Sequence, residues 1–140
     1  MSVLNIKTQD QILIVDKPMP RITSGNRNID TVKVTFDESW DCENGKFFAS
    51  FYIDDPDNAS VCDLAKEDER CFGCLIPNEM LEKEGSFVFG VWCESGNKTK
   101  TSGEITILVH RGAVTSKTGS GGMALTPEIW YERIEESWIA

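Results

Sequence analysis

The chain alternates apolar and polar residues in four separate segments. In the first, 29–40, every second position from Val32 to Phe36 is apolar. A period of two residues is typical of a strand with one face in a core and the other in water. Segments 46–53, 86–93 and 104–109 repeat the pattern, and the inward-facing residues it predicts there are Phe47, Ala49, Phe51, Ile53, Phe87, Phe89, Val91, Cys93, Ile105, Ile107 and Val109.

Four strands that share an apolar face need a second layer to cover that face. The pattern therefore predicts an all-β fold, an antiparallel β-sandwich of the Ig-like or Greek-key type. Asn44-Gly45 is a strong hairpin signal between alternating strands, and it predicts that 30–36 and 46–53 are antiparallel neighbours. Pro18 and Pro20 place the segment before them at an edge or crossing.

The composition changes near the C-terminal end of the sequence. Residues 112–122 are rich in Ser, Thr and Gly, which is typical of a linker. Thr126-Pro127 is a helix start signal, and the apolar residues Trp130, Ile134 and Trp138 recur four apart on one helical stripe. We therefore predict a β-sandwich attachment domain over 1–112, a linker over 113–125 and an amphipathic C-terminal α-helix over 126–140.

Length and charge exclude several classes of function. A chain of 140 residues is long enough for one domain with its own core. Its net charge of −9 repels nucleic acid phosphates and anionic lipids, so nucleic-acid and membrane-surface binding are disfavoured. We expect no signal peptide and no membrane span, hence synthesis in a cytoplasm. Five cysteines are an odd number, so reduced thiols are expected.

Several short motifs follow one another in a fixed order. They are Gly25-Asn26-Arg27-Asn28, Phe36-Asp37-Glu38-Ser39-Trp40-Asp41, Cys74-Leu75-Ile76-Pro77-Asn78-Glu79-Met80-Leu81, Gly85-Ser86-Phe87, Gly112-Ala113-Val114-Thr115 and Thr126-Pro127-Glu128-Ile129-Trp130. In order and spacing they resemble the N-terminal domain of phage upper baseplate proteins, a module of phages that infect Gram-positive bacteria. The family continues into a longer neck and receptor-binding region, which this sequence does not show.

This resemblance implies a non-enzymatic structural protein of a phage or prophage tail, located in the virion and made in the bacterial cytoplasm. Other tail and baseplate proteins would be its partners, and a homo-oligomer, specifically a trimer, would be its assembled form. The C-terminal helix would promote self-assembly. Catalytic residues, cofactors and a bound metal are not expected.

Three groups of residues raise the possibility of chemistry. Cys71 and Cys74 have the spacing of a zinc or redox pair, for which Cys62 and Cys93 would be the remaining ligands, but residues three apart on a strand face opposite sides. His110 is the single histidine, available as a general base. An acidic cluster could bind calcium, although its spacing does not fit an EF-hand; its members are Asp54, Asp55, Asp57 and Asp63.

Phe48, Tyr52 and Trp92 lie on the faces of their strands opposite the predicted core. Either the N-terminal segment with Ile12 and Ile14 covers them, or they form a surface for a protein partner or a sugar. The candidate partner interface is therefore the exposed aromatic set together with the helical stripe: Phe48, Tyr52, Trp92, Trp130, Ile134 and Trp138. A carbohydrate-binding β-sandwich module is the alternative function, and a small thiol or metal enzyme using Cys71, Cys74 and His110 is a third.

Overall fold

The computed structural model describes residues 2–113, which form an all-β fold of ten strands and two single-turn 3₁₀ helices. The predicted linker and C-terminal helix lie outside the described residues. The strands are β1 (Val3–Gln9), β2 (Ile12–Val15), β3 (Thr31–Thr35), β4 (Lys46–Tyr52), β5 (Ser60–Asp63), β6 (Ala65–Lys66), β7 (Cys71–Leu75), β8 (Gly85–Ser95), β9 (Lys98–Thr101) and β10 (Ile105–Val109). The 3₁₀ helices are Pro56–Asn58 and Asn78–Leu81.

The strands are divided between two sheets. Sheet 1 has the order β2-β1-β3-β7-β6, and sheet 2 has the order β10-β8-β4-β5, with β9 beside the second half of β8. The prediction of a wholly antiparallel fold is wrong at one pair, because β1 and β3 run parallel. After β2 reverses the chain, segment 16–30 crosses back, and β3 then joins the opposite side of β1 in the same direction.

The predicted hairpin between β3 and β4 is wrong, because these strands belong to different sheets. The connection is organised by Asp41 instead. Its main-chain oxygen accepts a hydrogen bond from Gly45 N at 3.0 Å, and its carboxylate accepts one from Asn44 N at 3.2 Å. Gly45 has no positive φ, which a type I′ hairpin would require. The connection carries the chain across the core, with Trp40 buried inside it.

Aromatic rings join the two sheets. Phe47 of sheet 2 lies 4.3 Å from Phe72 and 4.5 Å from Phe36, measured between ring centroids. Phe72 is on β7 of sheet 1, and Phe36 directly follows β3 of the same sheet. Trp40 contacts the same cluster at 5.1 Å from Phe36. The two apolar faces therefore form one core, as the alternation predicts. Ile53 is the exception, since it follows the last residue of β4 and is 40% exposed.

Two of the ordered motifs meet in space and form a structural joint. Gly25, with its φ of 92°, donates its N–H to Leu81 O at 2.7 Å. The side chains of Asn28 and Asn78 pair at 3.0 Å, and Asn28 N also donates to Asn78 Oδ1. The buried carboxylate of Asp30 accepts hydrogen bonds close by from Ser2 N and Asn26 Nδ2. These residues therefore fix the crossing segment to the second 3₁₀ helix.

We expect Gly45→Ala to destabilise the protein by about 1–3 kcal/mol, because the site has no room for a side chain. A Cβ there would overlap Cys93 Sγ and lie 2.7 Å from Asp41 O. Gly103→Ala is the matched control, since its Cβ would come no closer than 3.8 Å to Gln11 O. Urea unfolding measures both, and equal midpoints for the two variants would contradict the packing described for Gly45.

Candidate partner interface

The outer face of sheet 2 carries a continuous set of apolar side chains. Alternate residues of β4 and β8 point away from the core, and the register sets them in neighbouring rows. Val61 and Leu108, from the flanking strands, are 57% and 59% exposed. We call this surface the aromatic face; it comprises Phe48, Tyr52, Val61, Val88, Trp92 and Leu108.

Phe48 and Trp92 form one end of the aromatic face. They are directly opposite one another across β4 and β8, and their rings stack at 5.4 Å with an interplanar angle of 25°. Trp92 Nε1 donates to Glu94 Oε2 at 3.2 Å, which fixes the indole in place. Both side chains stay partly exposed, so the stack presents a rigid apolar surface.

Tyr52 and Val88 form the next row, and they too are cross-strand partners. The Tyr52 hydroxyl donates to Glu104 Oε1 at 3.0 Å. This hydrogen bond to the carboxylate raises the pKa of Tyr52, with further contributions from desolvation and from the charge of Glu104. The phenol is therefore a neutral, oriented group at the rim of the aromatic face.

A shallow trough separates these two rows. Gly90 and Ser50 are paired between them, and neither has a large side chain. Gly90 itself is buried, because Glu104 Cγ, Gly103 O and Ser50 Oγ lie 3.5, 3.6 and 3.7 Å from the position that its Cβ would take. Ser50 is partly exposed, so the trough is open on the Ser50 side. The sequence pattern identified three aromatic residues of this surface. It missed Val61, Val88 and Leu108, although they occupy alternate positions of strands in the same sheet.

Sheet 1 has an outer face of different character. Its exposed side chains include two ion pairs, Lys33 with Glu67 at 3.1 Å and Lys7 with Asp16 at 3.6 Å. Such solvent-exposed pairs contribute little to stability and keep a surface hydrated. Ile12 and Leu75 are also exposed on sheet 1, but the register places them at opposite ends of it. The apolar side chains of sheet 2 are adjacent, so its outer face is the better suited of the two to contact with an apolar partner.

The N-terminal hairpin does not cover the aromatic face, so that interpretation is wrong. Ile12 lies on β2, at the edge of sheet 1, and is 62% exposed. The hairpin tip does reach sheet 2, but at the β9–β10 turn, where Gly103 N donates to Gln11 O and Gln11 Nε2 donates to Thr101 O, each at 2.8 Å.

The loop around Trp40 lies between two clefts of about 520 and 580 Å³. Arg70 Nη1 holds this loop by donating to Asp37 O at 2.6 Å and to Trp40 O at 3.3 Å. Burial raises the pKa of Cys42 in the first cleft and of Cys93 in the second. Both thiols are therefore protonated near neutral pH, and neither is prepared as a nucleophile.

Cys71 and Cys74 do not come together. Both are on β7, three residues apart, so their side chains point to opposite faces of sheet 1. Cys74 instead faces Cys62 of β5 across the gap between the sheets. Burial, followed by the neighbouring Cys62, raises the pKa of Cys74 to about 12. Within residues 2–113, no group of three or more His, Cys, Asp or Glu side chains is arranged to hold a metal ion.

We expect Cys74 to react with iodoacetamide at least about 30-fold more slowly than an ordinary exposed thiol at pH 8. Raising the pKa from 9.0 to about 12 makes the thiolate about 1,000-fold rarer, and the higher nucleophilicity of that thiolate offsets only part of the loss. Peptide mass spectrometry of a time course, with Cys71 as the internal comparison, measures this. Equal rates at both residues would contradict the partly buried position of Cys74 beside Cys62.

The other candidate residues have local structural contacts. His110 pairs with Thr23 in an isolated β-bridge, and its main chain bonds to Ile22 and Ser24. Asp55 caps the first 3₁₀ helix by accepting from Asp57 N at 3.0 Å. Asp63 is on β5, paired with Phe48, and so lies on a different element from the other acidic residues.

Trp130, Ile134 and Trp138, the remaining part of the predicted interface, lie outside the described residues. Among the helices of residues 2–113, none is long and apolar enough to cross a membrane.

The chain has structural similarity to solved proteins but no detected relative in sequence. No protein-family model and no curated protein sequence matches the chain. Among solved structures, the N-terminal domain of phage TP901-1 ORF48 is similar over 79% of this chain and 98% of that one, at 10% sequence identity and a TM-score of 0.43. A likeness at this level adds nothing to what the chain's own residues establish.

Proposed function

We propose that this chain is a non-enzymatic structural protein of a phage or prophage tail, in which a β-sandwich attachment domain joins other baseplate components. It assembles through two surfaces, the aromatic face and segment 126–140. The tail assignment follows from the order of the sequence motifs that resemble phage upper baseplate proteins. The protein would reside in the virion as a homo-oligomer.

The observation that carries the attachment role is the aromatic face. Apolar side chains there are partly exposed, adjacent and held rigid by their strands, whereas the outer face of sheet 1 carries ion pairs. Surfaces of this kind mark contacts with other proteins, and rigid aromatic residues lose little entropy on binding. The role requires no turnover.

Carbohydrate binding is the second candidate function. The stacked rings of Phe48 and Trp92 lie close to the carboxylate of Glu94, and a sugar needs both a ring surface and polar groups at its edge. A glycan array separates the two candidates. Binding of a defined saccharide that is lost in Trp92→Ala would favour this function over structural attachment.

The tail assignment is tested on particles produced from a phage or prophage genome that encodes the chain. Gradient-purified particles are analysed by quantitative mass spectrometry, with the major tail protein as the reference. We expect the protein at a fixed stoichiometry and, by immunogold microscopy, at one end of the tail. Its absence from intact particles would overturn the proposal.

A further inference from the structure

We infer that segment 126–140 binds the aromatic face of sheet 2, so that the two proposed assembly surfaces are the two halves of one contact. This inference rests on the proposed function, in which both surfaces take part in assembly, and names what each one binds.

The dimensions of the two surfaces agree. From the Tyr52–Val88 row to the Phe48–Trp92 row is four residues along each strand, or about 14 Å at about 3.4 Å per residue. Trp130 to Trp138 spans eight residues, which is about 12 Å in a helix. An apolar stripe of that length places one indole at each row of the face, and Ile134 above the trough of Gly90 and Ser50.

The chain between the two surfaces is long enough. β10 ends at Val109, opposite Gly85, so the chain leaves sheet 2 at the end where Leu108 begins the aromatic face. The far end, at Trp92, is seven residues along β8 from Gly85, or about 24 Å. Residues 114–125 number twelve, and a Gly/Ser-rich chain of that length reaches about 40 Å when fully extended, with an average end-to-end distance of about 20 Å.

The side chains between the two rows suit an apolar residue. Ser50 is small and partly exposed there, and the Glu104 side chain that covers Gly90 already accepts the Tyr52 hydroxyl. Glu132 and Glu136 fall on the side of a helix opposite the stripe and would stay in water.

The same contact would produce the proposed self-assembly. A short linker keeps the segment at high effective concentration near its own sheet, so the contact forms within one chain in dilute solution. At higher concentration the segment exchanges onto the aromatic face of a neighbouring copy, because exchange of an identical element costs little free energy. Assembly then needs no surface beyond these two.

Photocrosslinking in the full chain tests the inference. Ile134 is replaced by p-benzoyl-phenylalanine, the protein is irradiated, and the adducts are mapped by peptide mass spectrometry. We expect adducts in 48–52 or 86–92, monomeric when the protein is dilute and partly dimeric when it is concentrated. The same probe at Glu136 is the matched control and should give at least about tenfold less adduct with this face.

Adducts confined to other segments, or equal yields from the two probe positions, would overturn the inference. A second variant distinguishes loss of this contact from misfolding of sheet 2. Ser50→Arg fills the trough but leaves every ring in place, and it should reduce the Ile134 adduct about tenfold, whereas Lys33→Ala on sheet 1 should not. A protein that is present in particles but gives no such adduct refutes only this inference, and an adduct in a protein absent from particles refutes only the tail assignment.

Discussion

Replacing Phe47 with alanine is expected to lower the free energy of unfolding by about 3–5 kcal/mol. Phe47 is the ring of sheet 2 that contacts sheet 1 most directly, at 4.3 Å from Phe72 and 4.5 Å from Phe36. Its removal leaves a cavity between two sheets whose strands cannot close the gap without losing their pairing. Equilibrium unfolding in urea, followed by circular dichroism, measures the change.

Phe48→Ala is the matched control for this prediction, because the neighbouring residue has the same chemistry and faces outward. It loses only the stack on Trp92, at 5.4 Å, so we expect a loss of about 0.5–1.5 kcal/mol. If Phe48→Ala destabilised the protein as much as Phe47→Ala, the assignment of inner and outer faces in sheet 2 would be wrong.

Arg70→Met is expected to destabilise the protein by about 2–3 kcal/mol, because its guanidinium holds the loop that joins the two sheets. One nitrogen donates to Asp37 O at 2.6 Å and lies 3.3 Å from both Trp40 O and Cys42 Sγ. Methionine keeps the length of the side chain but leaves the partly buried carbonyl groups without a charged donor. Urea unfolding again provides the measurement.

A control variant and a second measurement accompany the Arg70 prediction. Arg27→Met removes an exposed guanidinium and should change stability by less than about 0.5 kcal/mol. In Arg70→Met, hydrogen exchange should accelerate at Trp40 and Cys42 before the β4 and β8 amides are affected, since the loop is the part that loses its support. Unchanged exchange in the loop would contradict the role assigned to Arg70.

Alternation along the strands predicted the core well, because the two faces of a strand differ in polarity wherever one of them is buried. Phe47, Phe51 and Phe89 are buried as predicted, and Phe48 and Trp92 are outward. Ile53 was assigned to the core from the same rhythm but is exposed, since the strand ends at Tyr52. Periodicity identifies the face of a strand but not the residue at which the strand ends.

Strand neighbours could not be predicted, because pairing depends on contacts far apart in sequence. Asn44-Gly45 resembles a hairpin turn, yet the burial of Trp40 makes the connection cross from one sheet to the other. The parallel pairing of β1 and β3 likewise depends on the path of the crossing segment 16–30. A hydrogen bond between Asn28 of that segment and the distant residue Asn78 holds it in place. Single-sequence patterns contain no signal for such partners.

Only part of the candidate interface could be predicted, again because the sequence does not show which strands are neighbours. Aromatic residues at outward positions of β4 and β8 indicated a surface. That Val61 of β5 and Leu108 of β10 belong to the same surface follows only from the order of the strands in sheet 2. The trough at Gly90 also became visible only when the register placed Ser50 beside it.

The central claim, that the aromatic face is an assembly surface without which this protein does not join the particle, is tested most directly by particle incorporation. The double variant Phe48→Ser/Trp92→Ser and the control Lys7→Ser/Lys33→Ser are each supplied during phage assembly, and the amount of protein per purified particle is measured by mass spectrometry. We predict at least about a tenfold loss for the aromatic variant and none for the lysine variant, with both proteins folded by circular dichroism. Incorporation of the folded aromatic variant at the wild-type level would contradict the account.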